Sequence, residues 1–310
     1  MCPFQGNDIL KGDPVNIVVG STGLIGQAVV KVLAQEKLPF LALSRAKSWT
    51  NKAALNLQDR STWGILPSGR GVVLVAGPSF SLRDCVTRPK ETRAIQVQAV
   101  VDFSIFAAQR GLFPILLSSS FVYDGSRPDF GSQDLSHPAC EYGRQKVEME
   151  TGVLEAVPES AVVRLTKVFG DFHPLVSSWW GKICSGRIIE AASDARLSPL
   201  GSQWVAETLV SLMKHPCNGI WHLSASDDIS WFELAMKLAD VSPAQAGRVS
   251  IRSLRQIDPS VEFVPLHGTL KPSWPRALSI PPSSLAIENL IHNITKSISD
   301  PDQNRLKLKS

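Results

Sequence analysis

Tyr142 and Lys146, four residues apart in Tyr-Gly-Arg-Gln-Lys, are the pair best suited to carry chemistry. On a helix this spacing sets a phenol and an ammonium one turn apart on the same face. An ammonium beside a phenol favours the phenolate. The pair therefore predicts a lowered tyrosine pKa and a phenol that gives a proton to a carbonyl oxygen or takes one from an alcohol. Upstream, Ser118-Ser119-Ser120 ends an apolar run and precedes Phe-Val-Tyr-Asp-Gly. A hydroxyl at the end of a parallel strand faces the ligand crevice and can share charge developing on a substrate oxygen. Three serines can equally just terminate a strand.

A second signal lies near the start of the chain. Gly20, Gly23 and Gly26 form Gly-Ser-Thr-Gly-Leu-Ile-Gly between an apolar stretch, Asn-Ile-Val-Val, and an amphipathic run from Leu24 to Leu33. Glycines in that context permit a tight turn and the close approach of a pyrophosphate to backbone N–H groups at a helix N-terminus. The contacts expected with a dinucleotide are Gly20, Ser21, Thr22, Gly23, Leu24, Ile25 and Gly26. At the end of the next apolar stretch stand Ser44 and Arg45, with Lys47 nearby and no acid. A carboxylate there would bind a ribose 2′-hydroxyl, whereas a cation accommodates a 2′-phosphate, so the pattern predicts NADP(H), with NAD(H) as the other candidate. Asp59 could bond the adenine edge or cap a helix at Gln-Asp-Arg-Ser-Thr-Trp. Ala76 and Gly77, which end a third strand, and Ser118 complete the expected cofactor contacts, together with Tyr142 and Lys146.

The elements that would position these groups are legible from periodicity. Strand-like runs at Val15, at Pro-Phe-Leu-Ala-Leu-Ser, at Gly71 and at Phe-Pro-Ile-Leu-Leu-Ser alternate with helical patterns, one from about Thr92 to Arg110 and one following Tyr142. Strands alternating with helices of this length imply right-handed βαβ units and a Rossmann-type, doubly wound parallel α/β sheet. The regular alternation weakens after Gly170. The expected organisation is an N-terminal extension at 1–13, an NADP-binding Rossmann domain at 14–170, and a smaller C-terminal substrate-binding lobe at 171–300. Segments of that lobe, about 197–240, return to the Rossmann domain, and 301–310 form a disordered tail.

The 310 residues carry a formal net charge of +4, too small and too scattered for a nucleic-acid surface. An anionic small ligand accounts for it. Five cysteines, Cys2, Cys85, Cys140, Cys184 and Cys217, stand far apart without metal-ligand spacing, and the six histidines show none either. They read as surface or capped residues, and no metal is expected. No basic leader and no apolar run long enough for a bilayer are present, so a cytoplasmic protein is expected.

Together the runs Gly-Ser-Thr-Gly-Leu-Ile-Gly, Ser-Ser-Ser-Phe-Val-Tyr-Asp-Gly, Tyr-Gly-Arg-Gln-Lys and Val-Arg-Leu-Thr-Lys-Val-Phe-Gly resemble the extended short-chain dehydrogenase/reductases. The likeness is strongest to the dTDP-4-dehydrorhamnose reductase-like group and covers most of the chain from Val15 to about Leu238. It implies catalytic roles for Ser119, Tyr142 and Lys146, and reduction or isomerisation of nucleotide-linked sugars held by the C-terminal lobe. A homodimer through helices flanking the site is common in such proteins. Related dehydratases carry an adjacent Asp and Glu where Ser120 and Phe121 stand, which disfavours dehydration. Three features depart from the group: Gln96 at a position usually held by asparagine, the segment from Pro78 to Pro89, and Lys167 at an uncharged aromatic position near the expected nicotinamide. A sugar-nucleotide epimerase and a non-catalytic, cofactor-binding regulatory subunit are the alternative readings.

For substrate contacts the expectation includes Ser120, Lys167, Trp179 and Arg187, with Trp180 and Lys182 close by. Aromatics there could stack on a nucleobase and cations could hold a diphosphate, although core packing is the commoner use of a Trp pair. Asp194 and Arg196 could mark the lobe's return or form a salt-bridged turn.

Overall fold

The computed structural model describes residues 14–45, 54–78, 80–242 and 249–299. Lys47, the 1–13 extension and the 301–310 tail lie outside them. The first half runs β1 (Val15–Val19), α1 (Leu24–Gln35), β2 (Phe40–Leu43) and β3 (Gly71–Val75), with a 3-10 turn at Arg60–Ile65 before β3. It continues through α2 (Leu82–Thr87), α3 (Pro89–Arg93), α4 (Val100–Gln109), β4 (Leu112–Ser119), α5 (Glu141–Ala156) and β5 (Ala161–Leu165). The second half holds β6 (Val168–Phe169), α6 (Pro174–Cys184), β7 (Ile189–Ala192), β8 (Arg196–Leu197), β9 (Leu200–Gly201), α7 (Ser202–Lys214) and β10 (Gly219–Leu223). It ends with β11 (Ile229–Ser230), α8 (Trp231–Asp240), β12 (Val249–Arg252), α9 (Leu254–Ile257) and α10 (Ser283–Ser299).

Six strands form a wholly parallel sheet in the order β2-β1-β3-β4-β5-β10. Successive residues serve opposite faces. Ile17, Val19, Val73 and Val75 pack with Phe103 of α4 and Met149 and Val153 of α5, while Val18, Val72, Leu74 and Ile115 pack with Val29 and Leu33 of α1 and Val205 and Leu209 of α7. Burial on both faces is why these strands read as unbroken apolar runs. The chain leaves β1 toward β2 on one side and β3 on the other, and a ligand crevice opens at such a switch, beyond the carboxyl ends of the strands.

A second core joins Trp179, Trp180 and Ile183 of α6 to Ile189 and Ala191 of β7, Leu234 and Leu238 of α8, and Ile287, Leu290 and Ile294 of α10. Of the 197–240 segment expected to return to the sheet, α7 and β10 do so. Helix α8 instead turns its apolar face into the second core, where it meets α6, α10 and the short strand β7 rather than the six-stranded sheet. The helical pattern expected from Thr92 to Arg110 is interrupted by a π-helical turn at Ala94–Ala99.

Candidate active site

At the switch point the backbone is packed as closely as glycine allows. Gly20 has φ +84°, and a Cβ on it would lie 3.1 Å from the Gly77 nitrogen; a Cβ on Gly26 would lie 2.2 Å from the Gly20 oxygen. Both positions demand glycine, the first for its left-handed backbone and the second for contact. Gly23 caps α1 without a side chain, and the first turn of the helix carries no acid. Its leading N–H groups are therefore free for an anion. The hydroxyl oxygens of Ser21, Ser118 and Thr166 are buried with no hydrogen-bond partner. Buried polar atoms are nearly always paired, so three orphans at the carboxyl ends of β1, β4 and β5 in one sheet mark where a polar ligand completes the site. A dinucleotide's pyrophosphate and hydroxyls match this donor set, with Ile25, Ala76, Gly77 and Ser118 lining the same cavity.

At the end of β2, Ser44 is buried and Arg45 exposed. Asp59 accepts hydrogen bonds from the Ser61 N–H at 3.0 Å and the Ser61 hydroxyl at 2.6 Å. Its carboxylate thus caps the 3-10 turn, which is the capping alternative rather than a free adenine contact.

The cavity, about 580 Å³, brings Ser119, Tyr142 and Lys146 together although 27 residues of linear order separate Ser119 from Lys146. Ser119 ends β4 and its hydroxyl accepts the Phe121 N–H at 3.2 Å while also bonding the Tyr142 phenol. The Lys146 ammonium donates to the Leu117 carbonyl at 3.5 Å and lies 5.6 Å from the Tyr142 ring centre. Phe121 stands edge-on to Tyr142 at 6.0 Å and to Phe263 at 5.6 Å, forming an aromatic wall beside the phenol ring.

Electrostatics correct one expectation. The phenol is not acidified: burial pushes Tyr142 up to about 12, against a smaller lowering by the Ser119 hydrogen bond. Desolvation dominates here, and it acts on the neighbouring amine as well, with Lys146 pushed down to about 8 by burial. The carboxylate one turn further along α5, Glu150, favours the ammonium. Arg164 holds that carboxylate, with Nη2 at 2.6 Å, so Lys146 has no counter-ion of its own.

A buried polar frame fixes the helix that carries this pair. Gln96 Nε2 donates to Gln145 Oε1 at 2.9 Å, and Gln145 Nε2 donates to Thr92 Oγ1 and to Glu141 Oε1, both at 3.0 Å. Gln96 thereby ties the π-helical turn to α5 beside Lys146 rather than reaching into the cavity.

Some sequence candidates fall elsewhere. Trp179 and Trp180 are buried in the second core, Trp179 edge-on to Trp231 at 6.1 Å, so neither offers a face to a nucleobase. Arg187 points its Nε at Ser185 Oγ on the exposed surface, away from the cavity lining. Ser120 and Lys167 do line the cavity. Arg196 lines it too, paired with Asp228 at 2.6 Å, and Asp194 accepts the Leu254 N–H. His222 and His173 are not surface histidines; burial pushes both down to about 4, a neutral state suited to their aromatic neighbours. Among the described residues no group of three or more His, Cys, Asp or Glu gathers at metal-binding distance, and no helix is long and apolar enough to cross a membrane.

Thr166, Gly143, Phe121 and Phe263 were not anticipated as site residues. Thr166 had a signal, since it ends the apolar strand Ala161–Leu165 as Ser118 and Ser119 end theirs. Phe263 had none, because it arrives from a distant irregular segment.

Comparison with known proteins identifies the fold and the family. A zebrafish (Danio rerio) protein named methionine adenosyltransferase 2 subunit beta is 26% identical over 293 residues, covering 84% of this chain and 90% of the relative. The dTDP-4-dehydrorhamnose reductase of Aggregatibacter actinomycetemcomitans is 22% identical over 240 residues, covering 74% and 79%. The crystal structure of dTDP-4-dehydrorhamnose reductase from Bacillus anthracis in complex with NADP superposes with a TM-score of 0.78 at 17% identity, covering 91% of this chain and 99% of that one. The family model for the RmlD substrate binding domain matches residues 16–261, and the chain, with its parallel sheet and glycine turn, belongs to that family within the extended short-chain dehydrogenase/reductases.

Proposed function

We propose that the protein is an NADP(H)-dependent reductase acting on a keto group of a nucleotide-linked deoxysugar, with NAD(H) as the alternative cofactor. The observation that carries this reading is the convergence of Ser119, Tyr142 and Lys146 on one cavity whose cofactor side is lined with unpartnered buried hydroxyls. NADPH, when bound, supplies the hydride. The protein's own groups handle the oxygen. Ser119 orients the carbonyl, Tyr142 gives its phenolic proton to that oxygen as negative charge develops, and Lys146 stabilises the resulting phenolate. Burial of Tyr142 keeps the phenol protonated until that moment. Among the described residues no carboxylate lines the cavity, which leaves no acid-base pair for dehydration.

Support from relatives is of two kinds. The reductase structure from Bacillus anthracis was solved with NADP, and the curated reductase covers three quarters of the chain. The deciding experiment is NADPH oxidation by the purified protein across a panel of nucleotide-linked 4-keto sugars. Turnover with at least one sugar supports the reading, and dinucleotide binding without turnover on any of them argues against it.

A second reading follows from the names of other relatives, which are subunits of methionine adenosyltransferase. On this reading the chain binds a dinucleotide and regulates a partner enzyme, and the catalytic set is a remnant. An epimerase would retain its cofactor through purification and consume no NADPH.

A further inference from the structure

Three cationic side chains line the cavity, Lys146, Lys167 and Arg196, and among the described residues no carboxylate does. Two of them are accounted for. Lys146 stands beside Tyr142 and bonds the Leu117 carbonyl, and Arg196 is neutralised by Asp228 at 2.6 Å and Glu233 at 3.5 Å. Lys167 has no such partner. Its ammonium lies over the Trp231 ring at 5.9 Å, and among the described residues no acid forms an ion pair with it. Lys167 is exposed, so its ammonium is open to a ligand in the cavity, and the ring face beside it is a weaker partner for a cation than a counter-charge would be. The platform beneath it is rigid: Trp231 is held by Phe169, His173 and Trp179. His173 brings no compensating charge, because burial and Lys167 itself keep it neutral.

The register places this cation near the reacting centre. Ser119 on β4 is paired with Leu165 on β5, and Lys167 follows two residues later, at most about 7 Å of chain. We infer that Lys167 anchors an anionic group, a carboxylate or a phosphate, carried by the substrate close to its reacting carbonyl. The site then selects ketones that bear negative charge near the C=O group. This assignment rests on the reductase reading for the word substrate, but the anion site can be tested without turnover. Two sources share the chemistry: a carboxylate on the sugar, or the diphosphate that joins sugar to nucleoside.

Calorimetric titration of the full chain with UDP-glucuronic acid, UDP-glucose and inorganic diphosphate separates them, in the wild type, Lys167→Met and Lys167→Arg. Met keeps the length and the apolar stem of the side chain, and Arg keeps the charge. The expected result is a loss of at least about tenfold in affinity for UDP-glucuronic acid in Lys167→Met, largely restored in Lys167→Arg. An equal loss for UDP-glucose and inorganic diphosphate identifies the diphosphate as the partner, and a loss confined to UDP-glucuronic acid identifies the carboxylate. Unchanged affinities in Lys167→Met, or no binding of any of the three probes to the wild type, overturns the inference. NADPH and NADH are titrated separately and are expected to bind Lys167→Met as they bind the wild type. If neither dinucleotide binds the wild type, the reductase reading falls, while anion binding that depends on Lys167 stands on its own.

Discussion

Gly143 lies so close to Phe121 that a Cβ on it would stand 2.0 Å from the Phe121 carbonyl oxygen. The glycine follows Tyr142 on α5, and Phe121 lies in the short 3-10 turn, Ser120–Val122, that follows β4. This contact seats the first turn of α5, which carries Tyr142 and Lys146, against the hydroxyl-bearing strand end. A methyl group there forces the two apart, and displacements near 1 Å in an active site cost on the order of 100-fold in rate. Gly143→Ala is expected to lower kcat by about that factor with NADPH affinity nearly intact, as steady-state kinetics and dinucleotide titration will show. A fall in NADPH affinity equal to the fall in kcat would instead indicate general unfolding.

Tyr142→Phe removes the proton donor and leaves the ring that packs on Phe121. Reduction should slow by about 100- to 10,000-fold, the usual range for losing a positioned acid, with Tm and cofactor binding unchanged. Should the variant keep every activity the wild type has, including activation of a partner enzyme, the regulatory reading gains.

Stability should depend on pH in two opposed windows. Lys146 sits at about 8 when folded against a reference of 10.5, so below pH 8 both states are protonated and the folded state bears the full cost of the buried charge. Between about 8 and 10.5 the folded protein has released its proton and the unfolded chain has not, so stability rises, by up to about 3 kcal/mol. Tyr142 works the other way. Its folded value near 12 against 10.0 means that the unfolded chain ionises first, and stability falls between 10 and 12. Urea unfolding across pH 7 to 11 should show a maximum near pH 10, and Lys146→Met should abolish the rise. The rate of reduction should decline through pH 8 as the cation is lost.

Arg164 and Glu150 form a buried ion pair at 2.6 Å between β5 and α5, and the same guanidinium donates to the Tyr123 hydroxyl at 2.7 Å. Removing one partner strands the other charge, at a cost of about 3–5 kcal/mol. Arg164→Met should therefore unfold at markedly lower denaturant, and Arg164→Met with Glu150→Met should recover much of the loss. A double variant no more stable than the single one would show that the charges do more than balance each other.

Arg45 is exposed at the end of β2, where no acid competes for a ribose. Arg45→Ala should weaken NADPH binding by about tenfold and leave NADH binding unchanged, in line with the loss of one charged contact. Equal losses for both dinucleotides would remove Arg45 as the basis of cofactor choice.

Sequence legibility followed the range of the forces involved. The glycine turn, the strand-end serines and the Tyr142–Lys146 spacing are local, and local backbone constraints and helical periodicity write themselves into a few consecutive residues. Strands β1, β3 and β4 were equally plain, since burial on both faces demands continuous apolar runs. Helix α8 was assigned to the wrong layer because its apolar stripe shows that it packs, not what it packs against. The Trp179–Trp180 pair left core packing and nucleobase stacking both open for the same reason, and the fold uses it for packing.

From the amino-acid order alone came the doubly wound architecture, the glycine turn after β1 and the Tyr142–Lys146 spacing that the fold brings to one cavity with Ser119, because strand runs, turns and helical spacing are written in short stretches of chain. Only tertiary packing decided the charge states and the shape of the cavity. Burial raised the Tyr142 phenol rather than lowering it, and Arg164 took Glu150 from Lys146. Desolvation and pairing depend on atoms gathered from distant segments, so no spacing rule could have announced them. Lys167 is the sharpest instance: in the sequence it is one lysine after a strand, and in the fold it is a cation lining the cavity that holds Ser119 and Tyr142, with a tryptophan beneath it and no acid paired to it among the described residues.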